Sequence, residues 1–317
     1  MNARPITPGP GMKPWRQRHW DARAAWNFVA GGAGSGLIVA TAVSGARGPL
    51  AAALLLGALA LIGSGLGAVW LEIGRPWRAH NVLRNPRTSW MSREAYAAVA
   101  LAAAVPLAAW LEATRSPAAP SAMLVAFVVA LGFAYCQARM LHAAKGIPAW
   151  RSPALPALIV LTALAEGAGA WWIVAAWAGA GTQAALALFG LVLVGRLAAW
   201  LAYRRTLRDA PRAAAALAVP GAALAIGGTL VPLAMIAATA LTANETAVAM
   251  IAATAGALAW AAGAAFKLVL ILRASFNQGF ALPRMPVRGQ PSPAQHAESR
   301  RLAAAFAPSS AGRTPRP

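Results

Sequence analysis

The chain has 317 residues, 59% of them apolar and only 11% charged, with 28 Lys and Arg against 8 Asp and Glu. A soluble domain carries roughly 25% charged residues, so the polar surface of a water-soluble fold is missing. A net charge of +20 would suit nucleic acid, but the arginines alternate with apolar runs and form neither one basic face nor a recognised nucleic-acid motif, which excludes that partner.

Residues 1–24 read as a polar, proline-rich, basic tail with no cleavable signal. Apolar spans follow, each near the roughly 20 residues that cross the hydrocarbon. The first is predicted over 25–44 and contains Gly31-Gly32-Ala33-Gly34-Ser35-Gly36. Such a run resembles a phosphate loop only superficially, because the strand and lysine of that motif are missing. Close helix packing through small residues accounts for it better. The second span, 50–71, is rich in Gly57, Gly63, Ser64, Gly65 and Gly67 and takes the same reading. Spans three to eight are predicted over 95–111 (with Pro106 as a kink), 121–141, 154–177, 184–203, 217–241 and 247–272. The remainder, 273–317, is rich in Pro, Ser and Arg and is predicted to be largely disordered beyond about residue 289.

Eight spans place both termini on one side of the membrane. The short loops on that side hold 12 Lys and Arg, against Arg47 and Arg115 alone on the other. The excess of positive charge predicts cytoplasmic termini in the inner membrane.

Few residues in the spans carry chemistry. The histidines His19, His80, His142 and His296 all lie away from span centres, so no paired-histidine haem is expected. Cys136 is the only cysteine, which rules out an internal disulfide, a cluster bound by this chain's own thiolates and a cysteine zinc site. No metal is expected. Charges inside spans are costly and point to function by default. Glu166 and Arg196, on consecutive antiparallel spans, are expected to pair, and Lys267 is expected to snorkel to the boundary.

The most informative stretch joins the second and third spans. Between Glu72 and Glu94 it holds Arg75, Arg78, Arg84, Arg87 and Arg93, with His80, Trp77 and Trp90. One reading is a docking surface, or the mouth of a site at the membrane boundary. The other is a topogenic loop whose arginines only set orientation. Glu72 and Glu94 could exchange protons with a lipid-soluble quinone at that boundary, or simply pair with loop arginines.

Ile73-Gly74-Arg75-Pro76 and Asn85-Pro86-Arg87-Thr88-Ser89-Trp90-Met91-Ser92-Arg93-Glu94 resemble the signature of the dimethyl sulfoxide reductase anchor-subunit family and the related NrfD-like proteins. The Gly-rich first span and the segment from Ala138-Arg139-Met140 to Ala149-Trp150 are similar too, so the resemblance covers most of 25–272. It implies an all-α, eight-helix, haem-free membrane subunit, here over 25–272, between two tails that the charge bias places in the cytoplasm. Such a subunit anchors an Fe–S electron-transfer protein and a molybdopterin catalytic subunit, and exchanges electrons with menaquinone or ubiquinone near the docking face. Members often carry a histidine or an acid just before the Gly-Arg-Pro motif, and Glu72 takes that place.

On this reading Glu72 and Glu94 handle protons, and Glu72, Arg75, His80, Ser92 and Glu94 bind quinone. Arg75, Arg78, Arg84, Arg87, Trp90 and Arg93 dock the partner. Many members face the periplasm, whereas the charge bias here favours the cytoplasm. The segment 276–289 also looks weakly similar to membrane subunits of phenylacetyl-CoA:acceptor oxidoreductases, whose substrate would be cytoplasmic. Two alternatives remain at this point. One is a transporter, for Glu166, Arg196 and the glycines, although no internal repeat of the usual transporter kind is visible. The other is a structural anchor without a quinone site.

Cytoplasmic termini are directly testable. A C-terminal reporter fused to the full chain should be active only in the cytoplasm; activity confined to the periplasm would reverse the orientation.

Overall fold

The computed structural model describes residues 14–73 and 76–279, and 14–278 form one compact unit. Eight helical segments of the described residues are long and apolar enough to cross a bilayer. They are α1 (Ala22–Val43), α2 (Gly48–Trp70), α3 (Trp90–Ala113), α4 (Ala119–Ala143), α5 (Leu155–Ala175) and α6 (Gln183–Thr206), then a composite seventh span and α9 (Glu245–Leu272). The seventh span is α7 (Pro211–Ala225), a π turn (Ile226–Leu230) and α8 (Val231–Ala238). Among the described residues the only β pairing is an isolated bridge between Arg16 and Phe276.

Polar caps start several helices. Asp21 accepts from Arg23 N, Ser89 from Ser92 N, Thr182 from Ala185 N and Asn244 from Ala247 N, which satisfies amides that have no partner within the helix. The Arg23 side chain also bonds Asp21, and holds its carboxyl below the usual carboxylate range. The Ser89 cap moves the start of α3 back to Trp90, ahead of the predicted residue 95. Trp90 to Glu94 are therefore helical rather than part of the loop, and Glu94 faces the bundle.

Helix α1 is the centre of the bundle. Fifteen of its 22 residues are buried, and it packs against α2, α4, α5 and α9. A helix enclosed on all sides needs small residues where its neighbours cross. A Cβ on Gly36 would stand 2.0 Å from Ala163 O, and one on Gly167 would stand 1.9 Å from the Gly36 carbonyl carbon. Helices α5 and α9 meet the same way at Gly169 and Gly256. Lipid tails are as apolar as leucine, so such close backbone approach supplies the packing that holds helices together.

The buried charges follow this packing and depart from the expected pairing. Glu166 bonds Lys267, not Arg196, at 2.5 Å, with both side chains fully buried. Lys267 does not snorkel, because its face of α9 meets α1 and α5 rather than lipid. Gly32 and Gly263 leave the space for the pair.

Arg196 serves the seventh span instead. Pro232 lacks the N–H that would reach Gly228 O four residues earlier, and Arg196 donates to that carbonyl, to Thr229 Oγ1 and to Ala259 O. A further buried acid, Glu112, binds Arg47 at 2.9 Å and Gly48 N at 2.9 Å near the opposite end of the bundle.

The inner ends of the tails are ordered and meet on one face. Gln17 N donates to Ser275 O, and Asn277 N to Trp15 O. Arg23 reaches Leu71 O, so the α2–α3 loop begins on that face too. The distal tail residues, including 280–289 of the segment noted above, lie outside the described residues.

Gly167→Val should force α1 and α5 apart and destabilise the purified chain by about 1–3 kcal/mol or more, as overpacking does, which lowers its unfolding midpoint. Gly57→Ala, where nothing lies within 4 Å, should leave it near wild type. Equal midpoints for the two variants would show that the crossing is not tight.

Candidate functional site

Between α1, α2, α3 and the α2–α3 loop, on the face where the tails meet, lies a cavity of about 650 Å³. Its floor is Asn27, Phe28, Glu94 and Met140, all buried. Leu66, Gly67, Val69 and Trp70 supply the α2 wall, and Trp20, Ala79 and Val82 close the sides. His19, Glu72, Ile73 and Met91 stand toward the mouth. The volume falls within the 300–1,000 Å³ typical of small-molecule sites, and an apolar wall with a few convergent polar groups is their usual chemistry.

Glu94 is the polar centre of this cavity. It projects from the second turn of α3 and is 4% exposed. Asn27 Nδ2 donates to its Oε1 at 3.3 Å, and Gln137 also hydrogen-bonds its carboxyl group. Among the described residues it has no ion pair, so the expected alternative of a salt bridge to a loop arginine is not what those residues show. Gln137 donates to Asn27 O at 3.0 Å as well, which ties α4 to α1 behind the carboxylate. Gly31 makes room for that amide, since a Cβ there would stand 2.5 Å from Gln137 Nε2. Glycine 65 likewise lets α2 approach the Asn27 backbone and side chain.

The other expected site residues divide. Glu72 lines the cavity and is half-buried, with Arg23 close enough to interact electrostatically. His80 is exposed and outside the lining; its Nδ1 donates to Trp77 O at 2.8 Å. Ser92 is buried but turned away, its hydroxyl donating to Val82 O. It thereby holds the 3₁₀ segment Pro76–Arg84 against α3 and shapes the cavity without lining it. Arg75 lies outside the described residues.

The loop arginines do not act alike either. Arg78, Arg84 and Arg87 are exposed. Arg93 is committed to the loop, donating to Pro86 O and Arg87 O at 2.7 Å each. Its guanidinium lies 4.1 Å from the Trp90 ring centroid, and that of Arg139 lies 4.9 Å from it. Trp90 is thus half-buried under two cations and braced by Tyr135.

Asn27, Gln137, His19 and Trp20 also belong to the site and are not among the site residues that the sequence singles out. The first two carried a usable signal, since amides inside apolar spans seek partners as charges do. His19 and Trp20 gave none, because a tail position says nothing of the wall it will cover.

Glu166 and Arg196 lie apart from the cavity lining, each engaged with helix partners. No curated protein matches the chain. The model of the DMSO reductase anchor subunit (DmsC) family matches residues 45–257, a stretch that runs from the α1–α2 link into α9 and takes in the loop, Glu72 and Glu94. The chain belongs to the DMSO reductase anchor subunit family, and is a multi-pass membrane anchor subunit of a DMSO reductase-type complex.

Proposed function

We propose that this anchor binds a quinone or quinol in the cavity beside Glu94 and exchanges electrons with an Fe–S subunit docked on the arginine loop, which in turn serves a molybdopterin catalytic subunit. The observation that carries the reading is a buried carboxylate that has no ion pair among the described residues and lies on the floor of an apolar cavity at the end of the bundle where the tails meet. Quinone chemistry moves protons with electrons, so a seated quinol ring needs a base beside its hydroxyl. Glu94 is placed to take or return that proton, held in position by Asn27 and Gln137. Glu72, half-buried toward the mouth, is placed to pass it to water. Phe28, Leu66 and Val69 supply apolar contact for the ring and the start of an isoprenoid tail. The positive charge on the short loops favours cytoplasmic docking.

Glu94→Gln keeps the hydrogen bonds and shape while removing the titratable group. Quinone-linked turnover in membranes should fall about 100-fold, within the usual range for general acid–base participation. Turnover with an artificial dye, which bypasses the cavity, should hold. Glu72→Gln should have a smaller effect, because water can replace a base at the mouth. Wild-type quinone-linked turnover in both variants would leave the carboxylates without a role in proton handling.

Docking rests on the exposed arginines. Replacing Arg78, Arg84 and Arg87 together by Gln should release the Fe–S subunit from membranes at moderate salt, since exposed ion pairs contribute about 0–1 kcal/mol each and act in number. Sedimentation of the partner with membranes is the measurement. Full retention would reduce these arginines to a topogenic role.

A further inference from the structure

The ion pair between Glu166 and Lys267 lies outside the cavity lining, yet its second contact reaches the cavity wall. Lys267 Nζ donates to Phe28 O at 2.6 Å as well as to Glu166 Oε2 at 2.5 Å. Phe28 is on the cavity floor, and its neighbour Asn27 holds Glu94. Two adjacent residues of α1 are thus fastened from both sides, to α3 and α4 through amides and to α5 and α9 through a charged donor. A helix carbonyl keeps a second lone pair after its own helical bond, and Lys267 uses that one.

The notch that admits the ammonium is Gly32, one turn further along α1. A Cβ there would stand 2.4 Å from Lys267 Nζ and 3.5 Å from Glu166 Oε2. Packing alone does not require such a pair, because well-packed apolar residues replace buried ion pairs at little or no cost. What apolar residues cannot replace is the directed bond to Phe28 O.

We infer that Lys267 is a positioning residue for the cavity: fixed by Glu166, its ammonium pins the Phe28 carbonyl and sets the place of the α1 wall that carries Asn27 and Phe28. The inference rests on the reading of the cavity as a quinone site and adds the device that keeps its floor in register.

The test titrates a short-chain naphthoquinone into the full-length chain in nanodiscs and follows saturable quenching of tryptophan fluorescence, since Trp20 and Trp70 line the cavity. Gly32→Ala displaces the ammonium without altering any charge. The double variant Glu166→Leu with Lys267→Met removes the pair and leaves no unpaired charge. Both should raise the Kd about threefold to tenfold, the range spanned by one hydrogen bond. The double variant should keep an unfolding midpoint close to wild type.

Unchanged Kd in both variants would overturn the inference while leaving the cavity reading intact, and would make the pair purely structural. Absence of saturable quenching in the wild-type chain would overturn the cavity reading, and this inference with it. If the double variant does not fold, Gly32→Ala alone decides.

Discussion

The backbone contact of α1 with α5 at Gly36 and Gly167 is the constraint on which the rest of the structure depends. The two chains approach so closely that no side chain fits between them. In lipid the hydrophobic effect does not favour one helix face over another, so rotation and depth are set by such steric interlocks and by hydrogen bonds. With α1 locked to α5, and α5 to α9 at Gly169 and Gly256, the other helices enclose α1. Its first turns are thereby presented as one wall of a cavity on the face where the tails meet.

The buried charges other than Glu94 each answer a backbone or charge requirement of this packing. Arg196 satisfies the carbonyl that Pro232 leaves open in the seventh span. Lys267 shares its protons between Glu166 and Phe28 O. Glu112 closes the start of α2 by accepting from Gly48 N while pairing with Arg47. Charged groups in a membrane persist only with such partners, and here they join helices that the apolar surface alone would leave free to slide. Glu94 stands apart from this set. Its donors among the described residues are neutral amides, and it faces a cavity rather than packed helix.

The loop between α2 and α3 combines two tasks in neighbouring residues. Ser92, Arg93 and Tyr96 fold it back on α3 through carbonyls of residues 82, 83, 86 and 87. That leaves Arg78, Arg84 and Arg87 to face outward. A loop tied down in this way can roof a cavity with Ala79 and Val82 and still offer cations to a partner. Its anchoring groups and its surface groups are different residues, so the two tasks can be separated by substitution.

Much of this was legible in the chain itself. Eight spans follow from length and hydropathy, because a helix that crosses lipid must satisfy its backbone internally over a fixed thickness. The loop motif and the two acids bounding it were visible as charge placed against apolar runs, and both acids do line one cavity. The glycine run of α1 marked a close crossing without naming its partner. Which charges pair was not legible. Glu166 meets Lys267 across 101 positions of sequence rather than Arg196 on the adjacent span, since pairing depends on how each helix is rotated, and hydropathy does not report rotation when the whole circumference is apolar. The placement of Glu94 inside the bundle, of Ser92 as a clamp and of Asn27 and Gln137 around the carboxylate has the same origin. The sequence by itself determined which segments cross the membrane and where polar chemistry gathers. The tertiary structure decided which side chains face one another, because small-residue crossings fix the rotation of each helix only once its neighbours are in place.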